Sequence, residues 1–193
     1  MTTPGRPQDE RVTRAVLDAA LTELAENGFR GSSMEAIARR AGVGKAALYR
    51  RWGSKAELVA AAVQTVGVPD MPLPDTGSLR GDLRELLDGV VGWLGEARTR
   101  RIYPDLLAEG QRDPVLSTAL MEYVGRPRRN RAHAVLDRAT DRGEVSPDAD
   151  RELLVDALGA LVFWRLIALN QPVTSAHLDR IAELAVVLAQ GTR

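Results

Sequence analysis

The 193-residue chain contains no cysteine, which excludes a disulfide framework, a thiolate nucleophile and a zinc–thiolate site together. Histidine is almost as scarce. Only His133 and His177 are available as imidazole bases or ligands, both expected at the surface or at helix ends, so neither a structural metal nor a cofactor is expected. Long hydrophobic runs are missing too. The longest stretch of apolar residues plus glycine, Ala157 to Trp164, falls far short of the roughly 20 residues a membrane-spanning helix needs. The opening MTTPGRPQDER has no apolar core of signal-peptide length, so the expected location is the cytoplasm, with no membrane partner. No β-rich alternating run occurs anywhere.

What is present is an ordinary globular composition, 45% hydrophobic and 27% charged, with a formal net charge of zero. That neutrality hides an asymmetry. Residues 1–67 carry ten Lys plus Arg against seven Asp plus Glu, and residues 68–193 carry sixteen against nineteen. Between Arg30 and Lys55 there are seven basic residues and one acid, Glu35. A local excess of this kind is the footprint that phosphate binding needs even when the whole chain is neutral.

Helical periodicity accounts for most of the chain, and the predicted fold class is all-α with about nine helices. Val12, Ala15, Val16, Ala19 and Ala20 define a first amphipathic helix that stops at Asn27-Gly28. Ser32 stands three before Glu35 and Ser54 three before Glu57, two capping-box patterns that place the starts of helices 2 and 4. The stretch VPDMPLPDTG reads as a linker. It separates a domain at 1–67 from one at 78–193, with 68–77 between them. Further helices are expected over Ser78–Ala97, Ile102–Gln111, from Asp113-Pro114 to about Arg142 with a kink near Gly125 and Pro127, over Asp150–Asn170, and over Ser175–Ala189.

Two short helical patterns within SSMEAIARRAGVGKAALYRRWGSKAEL, separated by Gly42, Val43 and Gly44, have the layout of a helix-turn-helix. Leu48 and Trp52 fall together on the second helix as its core anchor. The opposite surface then presents Lys45, Ala46, Tyr49 and Arg50, and the first turn of a recognition helix is where side chains reach base edges. Arg50 and Lys45 suit guanine N7 and O6, while Ala46 and Tyr49 suit a thymine methyl; Tyr49 can equally be a packing residue. Ser33, Arg51 and Lys55 suit backbone phosphates. Arg6 is either a minor-groove arm or part of an unbound tail.

An enzymatic alternative begins from GVGK at Gly42–Lys45. A phosphate-binding loop with that ending needs Gly at position 39 and Ser or Thr at 46, whereas the chain has Arg39 and Ala46. No catalytic triad or metal-binding grouping is apparent. A second alternative is a helix-turn-helix protein that acts without an effector, or a helical adaptor whose basic face meets an acidic protein.

The segment from residue 11 to 60, an amphipathic helix ending in ENGF followed by the helix-turn-helix, resembles the TetR family of bacterial transcriptional regulators. The resemblance implies a homodimeric repressor that binds a palindromic double-stranded operator and is released by a small-molecule effector. It departs from the family at Gly44 and Ala47, where hydroxyl residues are common, so those two contacts are not carried over. For dimerisation the last two helices are favoured, through Leu154, Leu158, Leu161, Val162, Leu178, Ile181, Leu184, Ala185 and Leu188; the alternative is that these complete the subunit core. Trp93, Tyr103, Leu107, Met121, Tyr123, Phe163 and Trp164, the larger side chains of the second domain, line an effector cavity or belong to the core.

Overall fold

Helices form wherever the apolar spacing demands them, and their ends follow local capping chemistry. The computed structural model describes residues 6–67 and 72–191, with side chains from Asp9 onward. The side chain of Arg6 and the linker residue Pro69 lie outside the described part. Among the described residues there are ten α-helices and two π-helical stretches, and no strand. Counted as the sequence reading segments them, with 114–141 as one helix, they make nine.

The chain divides into two compact units. The first comprises residues 1–67 and 97–125, the second 68–96 and 126–193. The first unit therefore reaches beyond the linker and takes in two helices of the 78–193 segment. An amphipathic stripe announces that a helix must be covered but not by what, and this pairing is a tertiary outcome.

In the first unit, α1 (Arg6–Gly31) is interrupted at Gly28, whose φ of 68° and ψ of 174° are not helical. The stop expected at Asn27-Gly28 is thus a backbone break inside a longer element. α1 buries Val16, Ala20 and Leu24, spaced four apart on one face. Helix α2 (Met34–Ala41) is capped by Ser33, whose hydroxyl accepts from the Ala36 N–H at 3.1 Å. This corrects the expected Ser32–Glu35 box. Ser32 is buried and its hydroxyl donates to the Phe29 carbonyl at 2.9 Å, because the break at Gly28 turns it inward. Gly42 ends α2 with φ 67°, and the Val43 N–H returns to the Ala38 carbonyl at 3.0 Å, a Schellman closure that favours glycine.

Helix α3 (Lys45–Arg51) follows after the short turn, and α4 (Lys55–Thr65) starts at the Ser54 cap as expected. The Glu57 carboxylate reaches the Gly53 N–H at 2.9 Å, one residue earlier than a standard box. α6 (Ala97–Gly110) and α7 (Pro114–Leu120, capped by Asp113) pack on α1 and α4 respectively, and a π-helical stretch, Met121–Gly125, closes the unit. α6 begins earlier than the expected Ile102 and tolerates Pro104 in its interior.

The second unit holds α5 (Leu79–Gly95), α8 (Arg126–Asp141), α9 (Arg151–Phe163) with a π-helical extension over Trp164–Ala168, and α10 (Ser175–Ala189). Leu83, Leu87, Leu136, Leu154, Val162 and Leu178 are among its buried side chains. The fully buried carboxylate of Asp82 accepts from the Thr76 N–H at 2.6 Å, the Thr76 hydroxyl at 2.8 Å and Arg142 at 3.0 Å. Burial pushes its pKa up, but these donors outweigh it and leave the group below the ordinary carboxylate value.

Candidate nucleic-acid interface

The seven residues of α3 are held by one deeply buried side chain, Leu48, 1% exposed. Burying a leucine contributes about 1.5–3 kcal/mol. Trp52 is only half-buried and serves as the C-cap, its N–H donating to the Leu48 carbonyl at 3.0 Å. It is therefore a flank of the anchor rather than its centre. With Leu48 turned inward, Lys45, Ala46, Tyr49 and Arg50 are all exposed, and their spacing puts them on one helix face.

The cations around this face differ in what already holds them. The Lys45 ammonium is ion-paired with the Glu35 carboxylate of α2 and lies 5.7 Å from the centroid of the Tyr49 ring. The hydrogen bond with Glu35 raises the Lys45 pKa, and the same bond lowers that of Glu35. Arg51 is paired with Asp9 and bonded to the Thr13 hydroxyl, both on α1. Arg40 is bound by Glu23, at 2.8 Å, and by Glu26. Arg30 reaches Glu109 of α6 at 2.7 Å.

Lys55 departs from expectation. Its ammonium donates to the carbonyls of Phe29 and Ser32 and sits 4.2 Å from the centroid of the Phe29 ring. Desolvation lowers its pKa. Instead of facing a phosphate, this lysine ties α4 to the turn between α1 and α2, where carbonyls remote in sequence outcompete solvent for it. The same turn is held from α6, since the Asp105 carboxylate accepts from the Phe29 N–H at 2.5 Å. Ser33 already spends its hydroxyl on capping but is half-exposed. Among the described cations between Arg30 and Lys55, Arg39 and Arg50 are the two for which no ion pair or hydrogen bond forms; both are exposed. Sequence reasoning passed over Arg39, although its place beside Arg40, opposite the buried Ile37-Ala38 face, signals solvent exposure.

The seven expected cavity residues are not brought together in one unit. Tyr103, Leu107, Met121 and Tyr123 belong to the first unit, and Trp93, Phe163 and Trp164 to the second. Met121 is 52% and Trp164 62% exposed, so neither is a lining residue in this chain. Trp93 is buried with the Arg128 guanidinium 3.8 Å from its ring centroid.

The expected interface residues also separate into two classes. Leu154, Leu158, Val162, Leu178, Ile181 and Ala185 are buried within the chain, whereas Leu161 and Leu184 are exposed and Leu188 half-exposed. The buried six form core, because α9 is apolar around most of its circumference and its inward face was indistinguishable from its outward one. Beside the exposed leucines lie side chains the sequence reading did not assign to this face. Leu153, Trp164 and Val187 are 55%, 62% and 61% exposed, and Leu153, Ala157, Ala160 and Trp164 follow helical spacing along one stripe.

A family model described as "Bacterial regulatory proteins, tetR family" matches residues 16–62, and one described as "Tetracyclin repressor-like, C-terminal domain" matches residues 73–185. The DNA-binding transcriptional repressor TetR of Mycobacteroides abscessus is 34% identical, over 95% of this chain and 97% of its own. The uncharacterized HTH-type transcriptional regulator YdeS of Bacillus subtilis is 30% identical, over 97% of this chain and 94% of its own. The crystal structure of a TetR family transcription regulator superimposes with a TM-score of 0.66 and 30% identity, covering 94% of this chain and 99% of that one. The flavonoid-responsive regulator FrrA gives a TM-score of 0.69 and 27% identity, covering 92% and 94%.

Proposed function

The chain belongs to the TetR family and is a DNA-binding transcriptional regulator, and on that premise we propose that it is a homodimeric repressor whose α3 reads an operator until a small molecule releases it. The observation that carries the reading is the division of α3, with Leu48 buried and Lys45, Ala46, Tyr49 and Arg50 exposed together. In a major groove, Arg50 and Lys45 would donate to guanine and Ala46 and Tyr49 would meet thymine methyls. Ser33, Arg51 and the unpaired Arg39 would contact phosphates. Arg6 keeps its proposed place at the minor groove.

Two copies are needed because recognition helices address successive major grooves about 34–36 Å apart. The exposed apolar stripe of α9 and α10, with Leu161, Trp164, Leu184 and Val187, supports a second copy as its partner. In this reading residues 1–67 read DNA, and 78–193 bind the effector and dimerise, in the cytoplasm and without catalysis. Tyr103, Leu107 and Tyr123, which the first unit holds together, are the proposed effector contacts. An effector that displaced α6 would act directly on α1, which it packs against, and on the α1–α2 turn held by Asp105.

The test is selection of bound duplexes from a random library by the purified protein. A palindromic consensus is expected, and enrichment of no sequence would defeat the reading. On the selected duplex Arg50→Ala should lose about 1–3 kcal/mol of discrimination over random DNA; equal loss on both would reduce Arg50 to a phosphate contact. A compound screen for release of that duplex follows. Flavonoids are the first series, by analogy with the name of the 27% identical regulator.

A further inference from the structure

Lys45 opens α3, and its ammonium is confined between two groups. One is the carboxylate of Glu35 on α2, and the other is the ring of Tyr49 one turn further along α3, with 5.7 Å from nitrogen to centroid. Both partners of the ion pair are half or more exposed, 57% for Lys45 and 50% for Glu35. A pair so open to water contributes little to holding the fold. Its consequence is where it keeps the charge.

An unrestrained lysine is a mobile point charge on a flexible stem that follows any phosphate within reach. Glu35 removes that freedom in two ways. It restricts the ammonium to the first turn of α3, the part of a groove-bound helix that reaches base edges, and its own charge repels phosphates approaching that sector. An ammonium has three donors, so one bond to Glu35 leaves two for acceptors on a base. Arg51 shows the same arrangement, paired with Asp9 from α1, while Arg50 has no such partner among the described residues.

We propose that Glu35 is a specificity-determining residue of the DNA interface, one that positions Lys45 for base contact and withholds it from indiscriminate phosphate binding. This rests on the assignment of α3 as the reading helix. On the operator the Glu35–Lys45 pair persists and the remaining donors of Lys45 meet base acceptors. On other sequences no acceptor is in place, and Lys45 engages a phosphate only by leaving a carboxylate unpaired within the polyanion's field. Glu35 therefore penalises random DNA more than the operator.

The experiment compares the full-length protein with Glu35→Gln, which preserves side-chain size and the start of α2. Each is titrated over a salt series with a random-sequence duplex and with the duplex selected from the library, and melting temperatures are recorded alongside. Glu35→Gln is expected to raise affinity for random duplex roughly two- to five-fold and to steepen its salt slope by about 0.9, one further phosphate contact. Affinity for the selected duplex rises less or falls, so the ratio narrows. In a Lys45→Met background the same substitution should leave the ratio unchanged, because the repulsion of an unpaired Glu35 acts on both duplexes alike.

An equal shift on both duplexes, or a narrowing of the ratio that survives Lys45→Met, overturns the proposal, since Glu35 then does not act through Lys45. Should Glu35→Gln melt well below the parent, Glu35→Asp replaces it: the shorter side chain keeps the charge but loosens the grip on Lys45, and it must also narrow the ratio. Absence of salt-dependent duplex binding by the parent protein would instead defeat the DNA-reading assignment itself.

Discussion

The two compact units leave different things unfinished at their surfaces. In the first, the surface around α3 is set by charge. Lys45 and Arg51 are held by Glu35 and Asp9 from neighbouring helices, and Arg39 and Arg50 have no acid of their own among the described residues. In the second, the corresponding feature is apolar, with Leu153, Leu161, Trp164, Leu184 and Val187 exposed along α9 and α10. A cation surface can wait in water at little cost because ions are well hydrated. A stripe of large apolar side chains cannot, since each exposed side chain forgoes the stabilisation that burial would give it. In the proposed reading the first unit meets a polyanion reversibly, and the second keeps a second copy as its partner.

The sharpest way to break this contrast is Trp164→Glu. If the stripe is covered by a second copy, an unpaired buried charge costs about 3–5 kcal/mol, at least roughly a hundredfold in the dimer dissociation constant. Sedimentation should then show monomers and operator binding should fail. An unchanged sedimentation profile would locate the contact elsewhere. Next in size is Leu48→Ala, which removes the buried anchor of α3. A loss of about 2–5 kcal/mol is expected in denaturant unfolding, with binding to random and selected duplex lost together.

Asp82→Asn probes the second unit through its buried polar network. Weakening the bonds from Thr76 should cost about 1.5–3 kcal/mol, read as a lower denaturant midpoint. The pH dependence has a definite sign. The net pKa of Asp82 is lowered in the fold, and that of Glu144 is lowered chiefly by the Leu79 N–H. The unfolded chain therefore binds more protons in the acid range. The stabilisation is fully present above the ordinary carboxylate value of about 4 and is lost as pH falls through the lowered values. Asp82→Asn should flatten that acid slope, and an unaltered slope would show that Asp82 does not contribute to it.

The smallest effect is expected from Arg39→Ala, which should flatten the salt slope of DNA binding by about 0.9. The preference for the selected duplex should stay the same. A change in preference would promote Arg39 from phosphate contact to reader.

Much of this architecture can be read from residue order, and the failures have local causes. Ser54, Asp113 and Leu48 take the places that capping and periodicity assign them. Ser32 and Ser33 are adjacent hydroxyl residues, and choosing between them as cap required knowing that Gly28 breaks α1 in a left-handed conformation. The charge of Lys55 was legible, but its direction was not. The two carbonyls that hold it belong to Phe29 and Ser32, 26 and 23 residues earlier.

The same limit governs α9. A helix apolar on most of its faces gives no periodic signal to separate core from surface, so Leu154 and Val162 looked like partners of Leu161 and Leu184, although the first two are buried and the last two exposed.

Sequence alone determined the all-α class, the helix-turn-helix and the face of α3 that Leu48 turns outward, because helical period and capping act over a few residues. Tertiary structure decided that α6 and α7 pack with the DNA-reading helices. It also decided that Lys55 serves the fold rather than the surface, that Lys45 is held by Glu35, and which side of α9 remains uncovered. Each of these depends on groups that only folding brings together, and neither periodicity nor charge counts carry that information.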